Sequence, residues 1–156
     1  MLDLQAFMDE VVEVIRKDDA KGYLDMIALP YQVITAASTR TFLRKADMED
    51  HFHLFRIGLK QMGFQDLSHH VISVTMLGET LATGIYETRL LREDRRLVAP
   101  YRSCITVRRD TGRWRAVCMA HTIGHADWVE RMEAITAQPA YTHGTVAEEH
   151  PIRRTN

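Results

Sequence analysis

Only two cysteines occur among the 156 residues, which excludes a disulfide framework. No apolar run approaches the ~20 residues that a membrane-spanning helix needs, so no span is expected. The N-terminus, Met1-Leu2-Asp3-Leu4, lacks a basic stretch ahead of an apolar core and reads as no secretion signal. These absences predict a cytoplasmic protein. An excess of one charge is missing too. Twenty Lys/Arg against 21 Asp/Glu leave a net charge of −1, with no overall pull toward nucleic acid or a membrane surface. The balance is uneven along the chain. Residues 1–50 hold ten acids against six bases, and residues 87–115 hold nine arginines against four acids. Those arginines gather at turns (Arg92, Arg95, Arg96, Arg109, Arg113), and aromatics are not interleaved with them as in a nucleic-acid groove. Solvated charge is the expectation.

Metal and cofactor signatures are also lacking. There is no Cys-x-x-Cys and no His-Glu-x-x-His, and the glycines form no phosphate loop. His51 and His53 point apart on a helix. His121 and His125 are four apart, a spacing that converges on a helix and not at a strand end. No metal and no cofactor is expected.

What is present is globular composition, 46% apolar and 26% charged, in one domain's length. Residues 3–17 have helical spacing through Leu4, Phe7, Met8, Val11, Val14 and Ile15, with Asp3 as N-cap. A short helix follows from Asp18 or Asp19 to Ala28, ended by Pro30. Tyr31–Thr35 reads as a strand. A third helix spans 46–62 through Met48, Phe52, Phe55, Leu59 and Met62, with Gly63 as its stop. After Gly63 the period changes from 3.6 to 2. Strands are expected over 67–77, 80–92, 97–109 and 113–123, joined by short turns and therefore antiparallel neighbours. A last helix starts at Asp127. The domain is expected to cover 1–136. Residues 137–156, polar and holding Pro139 and Pro151, read as a mobile tail.

This order of elements resembles the SnoaL-like branch of the nuclear-transport-factor-two-like superfamily. The resemblance covers about residues 3–125. It rests on the N-terminal helices, the Tyr31–Thr35 strand, the helix over 46–62, the turn around Val74–Glu79 and the closing hairpin Val107–Arg115. It implies an α+β, cone-shaped fold in which N-terminal helices pack on a strongly curved antiparallel sheet enclosing a pocket. It implies a small-molecule ligand or an accessory role, since fold alone does not decide function. It also supports a homodimer.

The pocket face follows from strand register. A three-residue loop Asp110-Thr111-Gly112 pairs Ser103 with Met119 and Tyr101 with His121, and puts Ile105 on the same face. A tight turn at Glu93-Asp94 adds Tyr86, Thr88 and Leu90. For the hairpin before it, a Gly78-Glu79 turn places His69, Val71, Ser73 and Thr75 inward, whereas a one-residue slip substitutes His70, Ile72, Val74 and Met76. Under the first register Ile72, Val74, Met76, Leu81 and Ile85 form an apolar outer patch, suited to a dimer. On the third helix, His51 falls inward with Phe52 and Phe55, and His53 falls outward. Cys104 and Cys118 are expected across from each other, as reduced thiols.

The expected pocket is therefore lined by His51, Phe52, Phe55, Thr88, Ser103 and Met119. His121, Tyr86 and Tyr101 are its candidates for catalysis. The expected occupant is a small, largely apolar organic molecule. One reading is a cofactor-free lyase or isomerase, in which neutral His121 takes a proton and the tyrosines orient an oxygen. The other is a non-catalytic dimeric ligand-binding or accessory domain. No carboxylate is expected on this face.

Overall fold

The computed structural model describes residues 1–121, apart from residues 37, 62, 93–94 and 97–98. The expected helix at Asp127 and the tail over 137–156 lie outside the described residues.

Helix α1 (Leu4–Arg16) begins where the Asp3 carboxylate accepts the Ala6 N–H at 3.0 Å. One donor left open by the first turn is thereby satisfied. Leu4, Phe7, Met8, Val11, Val12, Val14 and Ile15 are buried. Each such large side chain contributes ~1.5–3 kcal/mol when fully buried, so packing holds this helix more than propensity does. Helix α2 (Ala20–Asp25) is capped by Asp19 onto the Gly22 N–H at 2.9 Å. It ends earlier than expected, because the chain is already strand β1 over Ile27–Ile34. Pro30 does not stop a helix; it lies inside β1. The ladder to the last strand is irregular between Ile27 and Gln32, around this residue that has no N–H to give. Strand β2 (Thr39–Phe42), not expected from the sequence, pairs with β1. Helix α3 (Lys45–Gln61) buries Met48, His51, Phe52 and Leu59. His53 is outward, 3.9 Å from Glu49.

The remaining strands are β3 (Asp66–Met76), β4 (Leu81–Arg92), β5 (Arg95–Arg96), β6 (Tyr101–Asp110) and β7 (Arg113–His121). Six strands lie in the order β2-β1-β7-β6-β4-β3, and the two-residue β5 pairs with β4. The class is α+β, with helices packed on one open sheet. The expectation of a wholly antiparallel sheet is corrected: β1 runs parallel to β7. The short-turn argument holds for β3, β4, β6 and β7, which are antiparallel. It does not reach β1 and β7, which half of the chain separates.

Two bulges set which side chains face the helices. In the last hairpin Thr111 and Gly112 have φ of 48° and 85°, a two-residue turn that pairs Asp110 with Arg113. The expected three-residue loop is thus wrong by one. A bulge then leaves Val117 extra, between the pairs Val107↔Ala116 and Thr106↔Cys118. The two departures add to a shift of two. Ser103 therefore faces His121 and Ile105 faces Met119, and the same side chains stay inward. Below the bulge, Ala116 replaces Arg115 opposite Val107, and both Ala116 and Val107 are buried.

In the β3–β4 hairpin the bulge is at Ile72. His69↔Thr88 and Val71↔Tyr86 follow the first expected register, whereas Val74↔Gly84 and Met76↔Ala82 follow the slipped one. The expected outer patch is split accordingly. Ile72, Val74, Met76 and Ile85 are all exposed, but Val74 and Met76 share the parity of Ala82 and Gly84. Cys104 pairs with Ala120 and Cys118 with Thr106, so the two thiols are diagonal and not opposed.

Two side chains, Gln5 and Arg16, fasten helix α1 to edge strand β3. Gln5 Nε2 donates to the His69 carbonyl at 2.9 Å, and Gln5 Oε1 accepts from the Val71 N–H at 2.8 Å. An amide thus pairs with β3 as another strand would. Arg16 closes the other end, donating to Asp66 and to the Leu67 carbonyl. Gly84 gives Leu4 its seat: a Cβ there would lie 2.2 Å from Leu4 Cδ2.

Candidate functional site

The inward face of the sheet carries two adjacent rows of polar groups. Register puts His121, Ser103, Tyr86 and Val71 side by side across β7, β6, β4 and β3. It puts Tyr101, Thr88 and His69 side by side in the next row. Ser103 Oγ lies 2.8 Å from His121 Nδ1, and Thr88 Oγ1 lies 3.0 Å from His69 Nδ1. Each imidazole is thus held through Nδ1 by a hydroxyl from the neighbouring strand. Ring contacts complete the set: His69 lies edge-on to Tyr86 at 4.9 Å, and Tyr101 edge-on to His121 at 6.5 Å. The Tyr86 hydroxyl donates to Met119 Sδ at 3.3 Å.

α1 and α3 close this face and leave a cavity of ≈ 40 Å³, measured with a water-sized sphere. His51, Phe52, Phe55, Tyr86, Thr88, Tyr101, Met119 and His121 all line it. Ser103 does not; it stands behind His121 and holds the ring. Sequence reasoning missed Val11 and Ile15 of α1 and Tyr23 and Tyr31 as walls, and left His69 undecided between two registers. The α1 residues were legible as a buried helical face, but nothing in their spacing says which part of the sheet that face meets.

Among the described residues, none that lines the cavity is an acid, a lysine or an arginine. The three histidines are neutral at pH 7. Burial takes His121 from the usual 6.5 to about 4, with His51 adding to the shift. Burial takes His69 to about 3, helped by His121, and His51 to about 4, helped by Arg40. Charging any of these rings would place a cation among apolar walls and other imidazoles. Burial likewise raises the phenols of Tyr86, Tyr101 and Tyr31, and takes Tyr23 to about 12. All of these tyrosines stay protonated and able to donate.

The cavity is smaller than the ~150 Å³ in which benzene lodges. Met119 is its adaptable wall, a half-buried thioether with three rotatable bonds. Among the described residues no cluster of His, Cys, Asp and Glu could hold a metal ion. No helix there is long and apolar enough to cross a membrane.

A family model described as NTF2-like protein (DUF6841) matches residues 3–122. No curated protein matches the sequence. Among solved structures, an NTF-2 like protein of unknown function from Shewanella oneidensis MR-1 superposes with a TM-score of 0.62 at 11% identity, covering 77% of this chain and 96% of that one. An NTF2-like protein of unknown function from Pseudomonas putida KT2440 gives 0.58 at 15% identity, covering 78% and 84%. A domain of unknown function with a cystatin-like fold from Nostoc punctiforme gives 0.58 at 11%, covering 88% and 85%. At these identities the likeness is one of fold.

Proposed function

The chain belongs to the NTF2-like family DUF6841, and from that premise and the cavity we propose that it binds a small, uncharged, largely apolar organic molecule between α1, α3 and the sheet. The SnoaL-like branch of the same superfamily is consistent with this membership. The observation that carries the reading is the lining itself. Apolar walls surround neutral imidazoles and phenols, and among the described residues no opposite charge lines the cavity to repay the burial of an ion. A charged ligand would cost several kcal/mol that an uncharged one does not.

A second reading is cofactor-free lyase or isomerase chemistry, favoured by the 2.8 Å bond that fixes the His121 ring. His121 would accept the proton while Tyr86 and Tyr101 orient a substrate oxygen. With its pKa at about 4, His121 is always free to accept but is a weak base at pH 7, so binding is the stronger claim. Homodimerisation belongs to the same proposal, supported by Ile72 and Ile85 exposed on and beside the edge strand. So does a cytoplasmic setting, where Cys104 and Cys118 stay reduced.

Native mass spectrometry of freshly purified protein tests this reading. A co-purifying neutral small molecule, released on denaturation, is the expected result. A chain that carries nothing, and takes up no neutral aromatic probe even with its cavity enlarged by Met119→Ala, overturns it.

A further inference from the structure

Among the described residues three imidazoles line the cavity, and two of them have a partner at Nδ1. His121 and His69 each hold a strand hydroxyl at Nδ1, at 2.8 and 3.0 Å. The third does not. His51 is only 8% exposed, and its Nδ1 is buried with no hydrogen-bond partner. A buried polar atom without a partner is costly, and such atoms are rare in folded proteins. His51 is held in place by its own packing, its ring 4.8 Å from that of Phe42.

His51 also has a second exposure. Outside it lies a surface groove between β2 and α3, lined by Arg40, Thr41, Phe42, Asp47, Asp50 and Leu54 as well as His51. Among the described residues, His51 alone lines both this groove and the inner cavity. His51 thus stands where the two meet.

We propose that His51 is the polar anchor of the ligand, that the ligand carries a hydroxyl bonded to His51 Nδ1, and that it enters from the groove between β2 and α3 with its apolar body leading. The inference rests on the pocket reading above and narrows it to uncharged alcohols and phenols. A hydroxyl is the group that fits because it both gives and takes a hydrogen bond. It therefore serves His51 in either neutral tautomer, whereas a carbonyl serves only one. It would also complete on the third ring the imidazole–hydroxyl pairing that Ser103 and Thr88 make on the other two. The hydroxyl end lies near the polar groove, and the inner apolar walls take the rest, once Met119 moves aside.

Phenol and toluene, equal in size and differing by the hydroxyl, are the probes. Their binding to the full chain is measured calorimetrically at pH 7.5, for wild type and for Met119→Ala, each with and without His51→Phe. Phenol is expected to bind about tenfold tighter than toluene wherever His51 is present, the worth of one hydrogen bond. His51→Phe keeps a ring against Phe42 and is expected to abolish the preference while leaving toluene binding intact. In the unmutated protein, phenol and not toluene should shift the nitrogen-15 resonance of His51 Nδ1. That measurement stands even if the substituted protein does not fold. Equal affinities, or a preference that survives His51→Phe, overturn the anchor and leave the pocket reading standing. Failure of both probes to bind wild type and Met119→Ala overturns the pocket reading itself.

Discussion

Acid should loosen this protein well above the pH at which ordinary carboxylates titrate. His51 and His121 are buried to over nine-tenths and held near pKa 4 by that burial. In the unfolded chain each returns to the usual 6.5. The folded-state value is depressed, so above pH 6.5 both states are neutral and stability is fully present. As pH falls below 6.5 the unfolded chain takes up protons that the folded one refuses, and stability is lost down to the folded value. At pH 5 the loss is about 2 kcal/mol for each ring, or about 4 kcal/mol for the pair. His69, depressed to about 3, adds in the same direction. A domain's whole stability is about 5–15 kcal/mol, and at this length 1 kcal/mol moves the midpoint by roughly 2–4 °C. From His51 and His121 alone, thermal unfolding followed by circular dichroism should therefore show a fall of about 8–16 °C between pH 7 and pH 5, and more with His69, a window above the titration of ordinary carboxylates. His121→Gln should flatten that slope by about one proton's worth. A midpoint constant to within about 2 °C from pH 7 to pH 5 would refute the reasoning, because it would mean that the imidazoles are hydrated or paired with an anion.

Gly84→Ala should destabilise by about 1–3 kcal/mol in urea unfolding, since the new methyl would lie 2.2 Å from buried Leu4 and 3.0 Å from the Ser73 carbonyl, a backbone atom. Gln5→Leu should cost a similar ~1–3 kcal/mol by stranding the Val71 N–H, and amide hydrogen exchange at Val71 should speed up more than exchange in β6. Met119→Ala should lose about 1–3 kcal/mol of stability yet bind toluene more tightly than wild type, read by calorimetry. Ile85→Lys should shift the protein from dimer to monomer in native mass spectra without lowering its thermal midpoint at high dilution, if the outer face is the interface.

The helices and the α+β class were legible because each leaves a local signal. The stripe from Leu4 to Ile15 and the stripe from Met48 to Leu59 repeat at helical spacing, and both faces are buried. Several cavity walls also leave a local signal, since Tyr86, Thr88 and Tyr101 alternate along strands. The bulges were not legible. Val117 and Ile72 look like any other strand residue, and their extra position is decided by where the turn and the helices seat the rest of the strand. The place of β1 beside β7 was hidden for a related reason: the pairing joins two strands far apart in the chain, and no short sequence window contains both. Gln5 was invisible too. An exposed-looking glutamine on a helix says nothing of the strand it will pair with, although here it satisfies two backbone groups that the edge of the sheet would leave open.

The two bulges also mark where this chain can change length. Elsewhere in β3 or β7, losing one residue would turn the rest of the strand inside out, sending the cavity's side chains to solvent. At Ile72 or Val117 a loss leaves every neighbour on its present side, because the residue removed is the one that has no partner across the ladder. Insertions and deletions among relatives should therefore accumulate at these two positions. A relative lacking both would show an unbroken period-two pattern through its strands, and its pocket could be read from its sequence more easily than this one.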